Sequence, residues 1–125
     1  MKKSVSIVSH MIEVNKSKFI GIILPMNDVD TFKNYMKELE HEHRKAKHIV
    51  YAYRVGQLSK SCDDGEPKGT AGRPLLELLF KKDINNTALI VVRYFGGTLL
   101  GASRLLRTYV QAGVEVINKA EFVEV

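Results

Sequence analysis

The chain has 125 residues, 45% hydrophobic and 26% charged, with 19 Lys+Arg against 14 Asp+Glu and a formal net charge of +5. This length and balance describe one ordinary globular domain, large enough to bury a core without staples. A single cysteine, Cys62, excludes an internal disulfide and suits a reducing compartment.

No segment approaches the ~20 apolar residues of a membrane span, and the basic start Met1-Lys2-Lys3-Ser4 has no apolar stretch behind it. A cytoplasmic protein with no membrane partner is expected. The modest positive charge favours RNA, ribosomes or acidic proteins as partners.

Val5, Ile7, Met11, Ile12 and Val14 give residues 4–14 a rough strand pattern. Asn15-Lys16-Ser17-Lys18 reads as a turn, and Phe19 to Leu24 as a second strand ended by Pro25. Asn27 or Asp28 is placed to cap a helix in which Val29, Phe32, Tyr35/Met36 and Leu39 share one face through about Glu42.

His48 to Val55, rich in aromatic and β-branched residues, predicts a third strand. Gly56 to Gly72 shows no periodicity and reads as one long polar loop, a length that usually serves function or mobility. Pro74 suits the first position of a short helix reaching Phe80, closed by Lys81 and Lys82.

Asn85-Asn86 marks a turn, and Thr87 to Tyr94 a buried fourth strand. The last helix runs from about Leu99 to Lys119, with Leu105/Leu106, Tyr109, Gly113 and Val116/Ile117 in its packed stripe. Phe122 to Val125 adds a short edge strand. The order ββαβαβα predicts an α+β domain, a mostly antiparallel four-stranded sheet with its helices on one face.

The run from Val91 to Arg104 carries the strongest local signal. A strand delivers Arg93, Tyr94 and Phe95 into Gly96-Gly97, and Gly101 precedes a long helix. Free N–H groups at a helix start, reached through glycines, suit an anion. Arg104 and Arg107 follow, where positive charge opposes the helix dipole. The same glycines also serve pure backbone geometry, turning the chain and letting the helix pack close. Neither the Walker nor the Rossmann spacing is present.

The second signal is the loop holding Asp63, Asp64, Gly65, Glu66, Thr70 and Gly72. Three carboxylates in four positions fit a hard cation such as Mg²⁺, or simple turn chemistry. The calcium-loop spacing is absent. Cys62 beside these acids is poorly placed for a nucleophile's thiolate and reads as an incidental small side chain. His10, His41, His43 and His48 have no zinc spacing with it. His48 opens a strand near the loop and is expected to orient it by hydrogen bonding. No metal or cofactor is assigned.

The stretches Asp63-Asp64-Gly65-Glu66-Pro67, Gly69-Thr70-Ala71-Gly72 and Val91-Val92-Arg93-Tyr94-Phe95-Gly96-Gly97 with Leu100-Gly101 together resemble the signature of the YigZ/Impact family. Ala46 to Arg54 and Lys16-Ser17-Lys18-Phe19-Ile20 resemble it too, so the likeness spans about Lys16 to Gly113. It implies a two-layer sandwich like the second domain of a small-subunit ribosomal protein. A single Impact N-terminal-type domain over 1–125 is expected, with no second C-terminal domain, a departure from the two-domain pattern usual in bacterial relatives. Cys62 departs from the serine more usual there.

Two functional expectations follow. In the first, a non-enzymatic domain associated with translation contacts ribosome, RNA or a translation-regulatory protein. Arg93, Arg104 and Arg107 meet phosphate, the Gly96-Gly97 amides assist, and Tyr94 and Phe95 offer a stacking surface. In the second, a Mg²⁺-dependent enzyme or binding module takes a small phosphorylated anion, with Asp63, Asp64 and Glu66 holding the metal. A pure protein-interaction domain is a third possibility.

Overall fold

The computed structural model describes residues 1–125. Seven strands and three helices follow in the order β1 (Lys2–Ser4), β2 (Val8–Val14), β3 (Ser17–Pro25), α1 (Val29–Glu42), β4 (His48–Val55), β5 (Leu58–Cys62), α2 (Gly72–Lys81), β6 (Thr87–Tyr94), α3 (Ala102–Lys119) and β7 (Phe122–Glu124). Five strands form one antiparallel sheet in the order β2-β3-β6-β4-β5. The two terminal strands pair with each other in a separate ribbon.

β6 is the sheet's centre, buried at every position except Tyr94. Its alternate side chains feed two cores. Ala88, Ile90 and Val92 join Phe32, Met36 and Leu39 of α1, while Leu89 and Val91 join Leu75, Leu79, Tyr109 and Val116 of α2 and α3. Helices therefore cover both faces, and the expected two-layer, one-faced, four-stranded arrangement is corrected to three layers around five strands. Full burial of each of these large apolar side chains stabilises by roughly 1.5–3 kcal/mol, which is why a continuous apolar strand demands cover on both sides.

The fifth strand, β5, lies inside the segment expected to be loop. It pairs with β4 and meets α2 at its Cys62 end, where Gly72 lies against the Cys62 backbone, while Leu58, Ser59 and Lys60 face solvent. α1 begins at Asp28, whose carboxylate accepts the Thr31 N–H at 2.7 Å. The β2–β3 turn places Asn15 and Lys16 at φ +49° and +67°, the left-handed pair of a tight hairpin.

The registers Val14↔Ser17, Lys18↔Tyr94, His48↔Arg93 and Tyr51↔Cys62 put four connections at one end of the sheet. These are the 15–16 turn, the segment before β4, the 63–71 loop and the 95–101 loop. Both sequence signals thus converge in space. No helix is long and apolar enough to cross a membrane.

Candidate functional site: the loop-bearing end of the sheet

Asp63 ties the acidic loop to the start of α2. Its Oδ2 accepts the Gly69 N–H at 3.0 Å, and Oδ1 accepts those of Ala71 and Gly72 at 3.2 and 2.8 Å. Ala71 has no capping side chain of its own, so Asp63 brings both a cap and the negative charge that a helix start favours. Asp64 accepts the Ile49 N–H at 2.7 Å, and Thr70 donates its hydroxyl to the Pro67 carbonyl at 2.5 Å. Gly65, at φ +87°, lies against the His48 ring.

Glu66 turns inward instead. It is 7% exposed and meets Arg93, 5% exposed, with Nη1 at 2.7 and 3.0 Å from its two oxygens. The buried Tyr109 hydroxyl donates to the same carboxylate at 2.5 Å. Burial first, and then the Glu66 contact, push the Tyr109 phenol far above its ordinary value, so it remains a donor. Arg93 lies 5.6 Å above the Phe19 ring, and Phe19 meets Tyr109 edge-on at 5.3 Å. The Arg93 Nε has no hydrogen-bond partner.

Two expectations are corrected by this geometry. The three carboxylates do not converge on a cation, since each is spent on a different donor, and no group of three metal-ligating side chains forms. Arg93 is not an exposed phosphate contact. Strand alternation puts it on the same side of β6 as Leu89 and Val91, under α3, where an unpaired charge would be costly and Glu66 neutralises it.

His48 sits between the loop's carboxylates, its Nδ1 3.7 Å from Asp64 and its Nε2 3.6 Å from Glu66. Those separations suit an ion pair in the protonated ring and are too long for hydrogen bonds. The hydrogen bond that anchors the loop to β4 comes from the backbone of the next residue, Ile49.

In the glycine turn, the Gly96 N–H donates to Ser17 Oγ at 3.0 Å, so it is not free for an anion. A Cβ on Gly96 would overlap the Lys16 backbone, which explains the glycine by close approach. Gly97 and Gly101 have φ of +93° and +80°, where other residues are strained. Tyr94 donates to or accepts from His43 Nδ1 at 2.6 Å, which ties the turn to the end of α1.

The start of α3 is open. Gly101 offers no capping side chain, no acidic residue lies in the first turn, and the first helical bond runs from Leu105 N–H to Gly101 at 2.9 Å. Arg104 reaches Asn15 at 3.3 Å, and Arg107 is exposed. Lys16, Lys18 and Lys47 are exposed at the same end of the sheet. Between the 66–67 segment and the 95–102 segment lies a cleft of about 300 Å³, walled by Phe95, Leu99 and Leu100 and floored by Arg93.

Sequence reasoning passed over the lysines and the polar role of Tyr109. A signal existed for Lys16 and Lys18, which flank the turn of the strand that pairs with β6. None existed for Lys47, whose place depends on the β4–β6 register.

Residues 15–117 match the Impact N-terminal domain model. The IMPACT family member YvyE of Bacillus subtilis is 37% identical over 118 residues, covering 92% of this chain and 54% of the relative. The family member YigZ of Escherichia coli is 36% identical over 102 residues, covering 78% and 50%. This chain thus spans about half the length of these relatives. A crystal structure of a hypothetical protein superposes with a TM-score of 0.93 at 29% identity, covering 98% of this chain and 62% of that one. The structure of the two-domain translational regulator Yih1 gives 0.52 at 20% identity, covering 93% and 45%, a likeness of fold. With the glycine turn, the acidic loop and the strands β3, β4, β5 and β6 all inside the matched span, the chain belongs to the Impact N-terminal domain family.

Proposed function

We propose that this chain is a non-enzymatic binding domain associated with translation or its regulation, and that it contacts RNA through the loop-bearing end of its sheet. The observation that carries this reading is the set of exposed cations gathered there: Lys16, Lys18, Lys47, Arg104 and Arg107. They share that end of the sheet with a helix start whose own first turn carries no acidic residue, so phosphate oxygens meet both side-chain charge and backbone N–H groups. Exposed Phe95 offers a flat face to an unpaired base. Yih1, which shares the fold, is described as a translational regulator, and the association with translation is carried over from it as part of the reading.

Arg93 has a different part here from that of a surface contact. It neutralises Glu66 and so keeps the floor of the site from repelling phosphate. Asp63 and Asp64 accept backbone N–H groups and Glu66 pairs with Arg93, so this reading gives the carboxylates a structural part.

The test is binding of the purified protein to ribosomes and to a structured RNA between about 50 and 200 mM salt. Affinity is expected to fall with salt, and Arg104→Ala/Arg107→Ala is expected to weaken it and lower the log–log slope by about 1 to 2. Absent binding, or binding indifferent to both salt and the variant, overturns the reading.

A further inference from the structure

We infer that the cleft beside α3 is a subsite for the terminal phosphate of a nucleotide, either free or at the end of an RNA strand. The strand-end form rests on the RNA-binding reading; the free form does not.

The floor supplies the first argument. Arg93 is nine-tenths buried and lines the cleft, and both of its hydrogen bonds leave through Nη1 toward Glu66. Its Nε is a buried donor with no acceptor. Such a donor is costly to leave unanswered, and native proteins rarely do so without a functional reason.

The mouth supplies a second, independent one. The N–H groups of Ala102, Ser103 and Arg104 precede the first helical bond of an 18-residue helix, whose dipole adds partial positive charge. Lys47 adds a full charge at the rim. Glu66 does not cancel this, because Arg93 neutralises it and Tyr109 donates to it.

The class of ligand follows from shape and charge. The helix start at Gly101 and Ala102 and the Lys47 rim add positive charge above a floor that the Arg93–Glu66 pair leaves neutral, which favours the doubly charged terminal phosphate over the singly charged diester. The walls are apolar, with Phe95 46% and Leu99 86% exposed, so the body next to the phosphate has a face to pack on them. A volume of about 300 Å³ is at the small end for ligand pockets and suits one nucleotide.

The experiment compares two RNA 12-mers of one sequence, with 5′-phosphate or 5′-hydroxyl, by fluorescence anisotropy. Adenosine 5′-monophosphate and adenosine are titrated in parallel against the amide resonances of residues 102–104. The test variant is Ala102→Asp. Its position is exposed, and a carboxylate there supports the helix start while repelling phosphate. Lys47→Ala is a second variant at an exposed site.

The expected result is that the 5′-phosphate tightens binding of the strand, the monophosphate shifts those amides, or both. Ala102→Asp is expected to weaken the phosphate-dependent part about tenfold with an unchanged or raised Tm. Strand preference without a monophosphate response assigns the subsite to strand ends. A monophosphate response without RNA binding assigns it to free nucleotides and removes the RNA reading alone. RNA binding with no 5′-phosphate preference and no monophosphate response overturns the subsite and leaves the RNA reading standing. Absence of all binding overturns both, and a phosphate preference indifferent to Ala102→Asp and Lys47→Ala overturns this location.

Discussion

Glu66 and Arg93, 27 positions apart in the chain, meet as a buried ion pair with Arg93 Nη1 2.7 Å from Glu66 Oε2. The pair joins the two segments that carry the family resemblance, one a loop and the other the central strand. A charge buried without its partner costs far more than the intact pair contributes, so the two residues must be changed together or not at all.

Glu66→Gln is accordingly expected to destabilise the protein by about 3–5 kcal/mol, since the Arg93 charge is left buried. The double variant Glu66→Leu/Arg93→Met removes both charges and is expected to cost well under the sum of the single changes. Urea denaturation of Glu66→Leu, Arg93→Met and the double variant decides it. Additive losses would show that the two charges are not energetically coupled.

Tyr109 makes a pH-dependent contribution through the same carboxylate. Burial and the Glu66 contact hold its folded-state ionisation far above the ordinary value of 10. The contribution is complete below pH 10 and is lost as pH rises above it, because the unfolded chain then releases a proton that the folded chain keeps. Stability of the native protein is expected to fall by about 1.4 kcal/mol per pH unit from this group above pH 10. Tyr109→Phe removes that part of the slope and costs about 1–3 kcal/mol at neutral pH, where Glu66 loses a donor. Denaturation midpoints of both proteins from pH 9 to 11.5 measure the difference.

Much of the fold was legible because apolar patterning decides it. His48–Val55 and Thr87–Tyr94 are strands over the ranges that their β-branched and aromatic residues predict. Leu58–Cys62 was not legible, because an edge strand whose first three residues face solvent needs no apolar alternation. The two-faced layering was written in β6, whose unbroken apolar run calls for cover on both sides, yet the helices alone do not say which face each takes. For the site, the open start of α3 follows from Gly101 and the absence of nearby acids. The Glu66–Arg93 pairing does not, since only the folded sheet brings residues so distant in sequence under one helix.

Asp63 offers a test of the loop apart from the ion pair. Asp63→Ala removes the acceptor for the Gly69, Ala71 and Gly72 N–H groups and leaves the start of α2 uncapped. A loss of about 1–2 kcal/mol is expected, the scale of a strong helix cap. Hydrogen exchange of these three amides should accelerate more than that of β6. Uniform acceleration across the protein would instead mean that the loop unfolds only with the whole domain.

The lysines give the RNA reading a spatial test that net charge alone cannot pass. Lys16 and Lys18 sit at the loop-bearing end, whereas Lys81 closes α2 at the far end of the sheet. If phosphates gather where the loops do, Lys16→Ala/Lys18→Ala lowers the salt slope of RNA binding by about 0.7–0.9 for each phosphate that is no longer neutralised. Lys81→Ala removes a similar exposed charge and should leave the slope unchanged. Equal effects of the near and far substitutions would reduce the binding to diffuse attraction by a chain of net charge +5. A slope that responds only to the near pair locates RNA on the surface that also holds Arg104, Arg107 and the open start of α3.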